Sequence, residues 1–165
     1  FSTVFLVACD HALQSAEMMP KSNIYDALAS SKTLDRNISI GTVEVKKGMG
    51  GMIAPITPEQ YKEALISSLR QAGWYSPDKG RFALSANLTE VQQPSFGFSF
   101  TVKTTAEYTL TERKTGKVRY NDILTLPCTV TFSEAFNADI RLRRATGCGV
   151  GENITHLIKV LSQRY

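Results

Sequence analysis

The sequence predicts an α+β fold: an antiparallel sheet of about four strands, in the order strand, helix, three-stranded meander, helix, with the helices on one face. Three observations carry that expectation. Residues 96–111, FGFSFTVKTTAEYTLT, alternate apolar and polar side chains at period two over an unusual length. Residues 57–73 combine a helix start signal, an apolar stripe at helical spacing and a glycine stop. After Ser133 the pattern turns helical again and stays so to the end of the chain.

At 165 residues one domain is expected, with enough chain to bury a real core. A net charge of +4 without strong clustering argues against nucleic-acid binding. No run of about 20 apolar residues is present, so no spanning helix is expected.

The chain divides into residues 1–8, 9–37 and 38–165. The first piece is apolar and leads to Leu6-Val7-Ala8-Cys9, which resembles the bacterial lipobox: aliphatic, tolerant, small, cysteine. That resemblance implies diacylglycerol on the Cys9 sulfur, cleavage before Cys9, acylation of the new amino terminus, and residues 1–8 as a signal-peptide remnant. Each buried methylene contributes about 0.8 kcal/mol, so several acyl chains anchor stably. The competing reading makes residues 1–8 a short buried strand with Cys9 in the core. Asp10 resembles a signal that retains some enterobacterial lipoproteins in the inner membrane. That rule varies among bacteria and leaves the choice of membrane open, with the outer membrane expected. Residues 9–37 are polar and weakly periodic, as a lipidated tether would be, with Ile24, Ala27, Leu28 and Leu34 as one short docking turn.

Residues 38–45, ISIGTVEV, form the first strand, with Gly41 marking a bulge or a close backbone contact. The glycine-rich KKGMGGMIAP that follows lacks the spacing and trailing lysine of a phosphate loop. Its Met49, Met52 and Ile53 either tuck onto the core or offer a partner an apolar contact. Thr57 caps the helix, Pro58 suits its first turn, and Gly73 ends it. Phe82, Leu84, Ala86 and Leu88 then alternate on the second strand. On the third, Phe98, Phe100, Val102, Thr104, Ala106, Tyr108 and Leu110 share a face. Gly116 turns the chain into a fourth strand, which Pro127 marks as an edge.

In the last part, Phe136, Ile140, Leu142 and Ala145 line one helical face, with Arg141, Arg143 and Arg144 mostly outside as basic partner contacts. Gly147, Gly149 and Gly151 disfavour helix by about 1 kcal/mol each and read as a hinge. They follow a helical segment, not a strand, so they are no dinucleotide fingerprint. Cys128 and Cys148 are plausible disulfide partners, in competition with two separate thiols.

No catalytic chemistry emerges, so no enzyme is expected. His11 and His156 are far apart, no nucleophile elbow exists, and neither metal-ligand spacing nor a cofactor motif is present.

The element order, with pieces such as ALISSLRQAGW and FTVKTTAEYTLTERKTGK, resembles small bacterial envelope lipoproteins that assist transport. These include the lipopolysaccharide-assembly lipoprotein and the auxiliary lipoproteins of lipid-transporting ABC systems. The resemblance implies a non-enzymatic, lipid-anchored accessory subunit or adaptor facing the periplasm. It would meet the membrane through acylated Cys9 and other envelope proteins of a transport, assembly or secretion complex. The alternative is a binding protein for a lipid or glycolipid, with an apolar cavity between the Phe98/Phe100/Tyr108 face and the helices.

Overall fold

The computed structural model describes residues 12–21, 23–26, 31–51 and 53–165. Cys9 and the preceding stretch that resembles a lipobox, His11, Ala27, Leu28 and Met52 lie outside the described residues. The fold is the expected α+β one. A four-stranded sheet is built from β1 (Ile38–Val45), β2 (Phe82–Gln92), β3 (Phe100–Glu112) and β4 (Val118–Val130) in that spatial order. Before β1 come a 3-10 turn (Ser15–Met18) and a single helical turn, α1 (Asn23–Asp26). Helix α2 (Pro58–Gln71) joins β1 to β2, and α3 (Ala138–Arg164) follows β4.

Strands β2, β3 and β4 form the antiparallel meander, whereas β1 pairs with β2 in parallel. The sheet is therefore mixed. A helical crossover returns the chain to its starting end, so the strands on either side of α2 run the same way. Gly41 marks the bulge: the β1 register shifts between Ile40 and Val43. Edge strand β4 accommodates Pro127, which has no ladder donor to offer.

One face of the sheet is buried. Phe82, Leu84, Leu88, Ala106, Tyr108 and Leu110 meet Leu65 and Leu69 of α2 and Ile154, Leu157 and Leu161 of α3 in one core. The other face is open and polar, laced by cross-strand pairs such as Thr101–Thr129 at 2.7 Å and Thr105–Thr125 at 2.9 Å. The Thr57 hydroxyl caps α2 by accepting from Gln60 N, and Gly73 leaves the helix at φ 75°.

Three expectations give way. The central strand starts at Phe100, and Phe98 is 82% exposed on the loop before it, so it shares phase with the core residues but not their burial. The stretch 9–37 is no free tether where it is described: Leu13, Met18 and Leu34 are fully buried. Their apolar side chains gain more by leaving water than the segment gains by staying loose. Finally, Gly147, Gly149 and Gly151 form no hinge. They lie inside one 27-residue helix, about 40 Å long at the usual rise.

Close approach explains those glycines. A Cβ on Gly147 would stand 2.5 Å from Glu17 O, and one on Gly151 would stand 2.9 Å from Met19 O. On the opposite side, a Cβ on Gly149 would meet Thr104 Cγ2 at 3.0 Å. Helix α3 is thus pressed between the sheet and the N-terminal segment. Asn153 locks it there, its Nδ2 donating to Thr104 O at 2.8 Å and Leu124 O at 3.2 Å. The Thr104 hydroxyl donates in turn to Gly149 O at 2.8 Å. A disulfide between Cys128 and Cys148, with Cα atoms 5.8 Å apart, ties the same helix to β4. Closing that loop contributes about 3 kcal/mol on the chain-entropy account.

This packing fixes the sign of one substitution. In an exposed helix Gly147→Ala would stabilise by about 1 kcal/mol. Here we expect a loss of about 1–3 kcal/mol from overpacking against Glu17, read as a lower urea midpoint with an unchanged slope.

Candidate functional site

Because β1, β2 and β4 point one way and β3 the other, the loops 46–57, 93–99 and 131–137 gather at one end of the sheet. The start of α3 lies there too. That end is apolar on its outside. Ile53, Phe96, Phe98, Phe132, Phe136 and Ile140 are 40–88% exposed, and they are six of the eight large apolar side chains that face solvent among the described residues. Lone exposed apolar residues are ordinary, but a contiguous group marks a contact surface.

Phe98, Phe132 and Phe136 form an edge-to-face chain, with ring centroids 6.2 Å and then 5.0 Å apart. Arg141 holds this arrangement from beneath. Contrary to the sequence expectation it is buried, only 4% exposed, with its guanidinium carbon 4.6 Å from the Phe100 ring centre and 5.3 Å from that of Phe132. Its Nη1 donates to Ala135 O at 2.6 Å and Phe136 O at 3.1 Å, and its Nη2 donates to Gly97 O at 3.4 Å. One cation therefore ties both phenylalanine-bearing loops to the helix. Asn137 caps α3 through its carboxamide oxygen, accepting from Asp139 N and Ile140 N. Phe136 and Ile140, expected on the buried face of α3, are exposed: Phe136 precedes the helix, which starts at Ala138, and Ile140 stands in its first turn.

The other proposed contact residues do not make one surface. Met49 is half-buried against the core, while Ile53 is exposed at the apolar end. Arg144 is exposed and donates to Glu134 O at 2.7 Å. Arg143 binds Glu17 at 2.7–2.8 Å and also donates to Ala12 O at 2.8 Å. The three arginines leave α3 in three directions, one inward to the rings, one to the N-terminal segment and one to the turn after β4. Glu17 loses some solvation by partial burial, but its bonds from Arg143 and Gln14 N outweigh that loss and hold its carboxyl below the ordinary value. Leu13 N donates to Pro55 O at 2.8 Å, so the chain enters the fold at the same apolar end.

The opposite end is charged. Arg113, Lys114 and Lys117 are exposed in the turn between β3 and β4, and Arg81 pairs with Glu112 at 2.8 Å. Deeper in the core Tyr61 donates to Tyr108 at 2.9 Å, and burial pushes both phenols well up. Among the described residues, no three His, Cys, Asp or Glu side chains converge as a metal site would require, and no helix is long and apolar enough to cross a membrane. Tyr108 shares its buried core with Tyr61, Val150 and Ile154. A hollow of about 230 Å³ lies along α3, lined by Met19, Pro20, Arg144, Cys148 and Glu152 among others.

The phenylalanine end escaped sequence reasoning for a local reason. Phe98 continues the period-two phase of β3, but Pro94 and Gly97 (φ 141°) bend the chain away before the strand begins. The FGF stretch behind Pro94-Ser95 was the available signal.

No family model and no curated protein sequence matches the chain. Solved structures do share its fold. A Xanthomonas campestris protein described under the family model DUF330 superposes with a TM-score of 0.65 at 7% identity, over 89% of this chain and 92% of that one. A structure described as a candidate lipoprotein from Caulobacter crescentus gives 0.53 at 11% identity, over 86% and 95%. A minor lipoprotein from Acinetobacter baumannii gives 0.51 at 10% identity, over 79% and 94%.

Two outcomes follow from the geometry. Arg141→Ala should cost about 3 kcal/mol, since it strands buried carbonyls, and Arg141→Lys should recover little because an ammonium cannot reproduce the planar fork. Denaturant midpoints and faster amide exchange at residues 97–100 and 132–137 check this. The Glu17–Arg143 contact should stabilise the N-terminal segment above the unfolded carboxylate pKa of about 4.3 and lose that contribution as pH falls through the lower folded value. Glu17→Gln should remove this acid-side loss, followed as the pH dependence of exchange at residues 12–18.

Proposed function

We propose that this chain is a non-enzymatic, lipid-anchored accessory subunit of a bacterial envelope assembly, facing the periplasm. The observation that carries the reading is the docked N-terminal segment. Leu13 and Met18 are buried, Arg143 grips Glu17, and Gly147 and Gly151 let the backbone lie close. Only Asp10 and His11 stand between Cys9 and this docked chain. An acyl group on Cys9 would therefore hold the domain close to a bilayer and limit its swing.

The Leu6–Cys9 motif supports acylation, and the Cys128–Cys148 bond suits an oxidising periplasm. The Caulobacter and Acinetobacter structures that share the fold are described as lipoproteins. In this reading buried polarity serves the framework and catalyses nothing: Asn153 fastens α3 to the sheet, Tyr61 bonds Tyr108, and Arg141 pins two loops. The open polar sheet face and the charged turn at 113–117 are the surfaces left for protein partners, in keeping with an adaptor. Outer-membrane placement follows from the lipopolysaccharide-assembly resemblance.

Intact mass of the protein extracted in detergent from its native membrane tests the reading. The expected product begins at Cys9 and is heavier by a set of acyl chains, while Cys9→Ser shifts the protein out of the acylated form. An unmodified Cys9 still preceded by residues 1–8 would sink the anchor. Failure of any envelope protein to co-purify after crosslinking in cells would remove the adaptor role.

A further inference from the structure

We infer that the phenylalanine end of the domain is a second membrane contact, seated in the bilayer surface beside the anchor. The inference rests on the acylated Cys9 of the preceding reading, and adds which face of the protein the lipid meets.

Three independent features coincide at one pole. The first is chemical. Ile53, Phe96, Phe98, Phe132, Phe136 and Ile140 project from three different loops and the first turn of α3, and Phe96 and Phe98 are 88% and 82% exposed. Exposed apolar rings at loop tips are unfavourable in water and favourable at the boundary of headgroups and acyl chains.

The second feature is where the described chain ends. Ala12 O is bonded to Arg143, two residues along α3 from the Arg141 that underlies the rings. Leu13 N is bonded to Pro55 O on the loop that carries Ile53. Three residue steps separate Cys9 from Ala12, a span of at most about 11 Å at 3.8 Å per step. Acyl chains on Cys9 are thereby confined to the neighbourhood of the apolar pole. They cannot reach the far end of the molecule, where Arg113, Lys114 and Lys117 stand on the turn after β3.

The third feature is rigidity. Arg141 fixes both phenylalanine loops through carbonyls of Gly97, Ala135 and Phe136, so the rings are presented together. A protein partner would profit from the same rings. The short span to Cys9 decides for lipid, because any partner there would compete with the bilayer to which the anchor already holds that face. The rim carries Glu134 and Asp139 beside Arg144 and Lys21, with Lys46 and Lys47 on the loop that bears Ile53, so its basic excess should strengthen binding as the anionic lipid fraction rises.

Phe98→Trp supplies the probe, since the site is exposed and the native Trp74 is only 3% exposed. The acylated protein would be placed in phosphatidylethanolamine–phosphatidylglycerol vesicles with brominated acyl chains, which quench indole fluorescence on contact. The F98W protein should lose at least half of its added emission, while Lys114→Trp at the charged pole loses none. Both probes would be repeated on the Cys9→Ser chain. If the F98W protein is unquenched while the acylated protein sediments with vesicles, the membrane face is overturned and the anchor stands. If mass shows no acylation yet the F98W probe is still quenched on vesicles, the anchor falls and the membrane face stands. A blue shift of the F98W protein that grows with protein concentration without lipid would assign the rings to a second copy of the chain and overturn the inference.

Discussion

The structure depends on how closely α3 can lie between its two neighbours. Ordinary side chains at 147, 149 and 151 would push the helix off the Glu17 and Met19 carbonyls on one side and off Thr104 on the other. Dispersion falls steeply with distance, so a gap of even an ångström there would forfeit much of the contact. The glycines surrender local helix preference, and the tertiary contacts offset it. Asn153 then supplies directionality, because its amide finds backbone oxygens of both β3 and β4 that a displaced helix could not offer.

From that sandwich the two ends of the molecule acquire their characters. The Cys128–Cys148 bond and the Asn153 contacts hold the middle of α3, so its first turn projects at a fixed place beyond the sheet. Arg141 leaves that turn inward and gathers the loops around its guanidinium. The result is a rigid apolar pole opposite a charged one, joined by a sheet whose outer face is wet. A domain so polarised has a preferred orientation at any apolar–aqueous boundary, before any partner is considered. The docked N-terminal segment enters the fold at the same pole.

Much of this was legible in the residues. The alternation of Val102, Ala106, Tyr108 and Leu110 named the buried face of β3, and Thr57, Pro58 and Gly73 bounded α2. The Cys128–Cys148 pairing was in view as well. What failed shares one cause: period and composition are local, whereas burial is not. Phe98 has the phase of a core residue and lies beyond the strand's end. Arg141 has the composition of a surface residue and lies under two rings.

The sequence by itself determined the elements, their order and the faces they bury, because side-chain period and capping act within a few residues. It also carries the Leu6–Cys9 stretch that resembles a lipobox, a likeness read from a linear motif. Tertiary structure alone decided that β1 runs parallel to β2, that three glycines serve contact and not bending, and that residues 12–20 belong to the folded body. It alone gathered phenylalanines from positions 96 to 136 at the pole where the chain enters. Those outcomes depend on which distant backbone a residue meets, and chain periodicity carries no record of that.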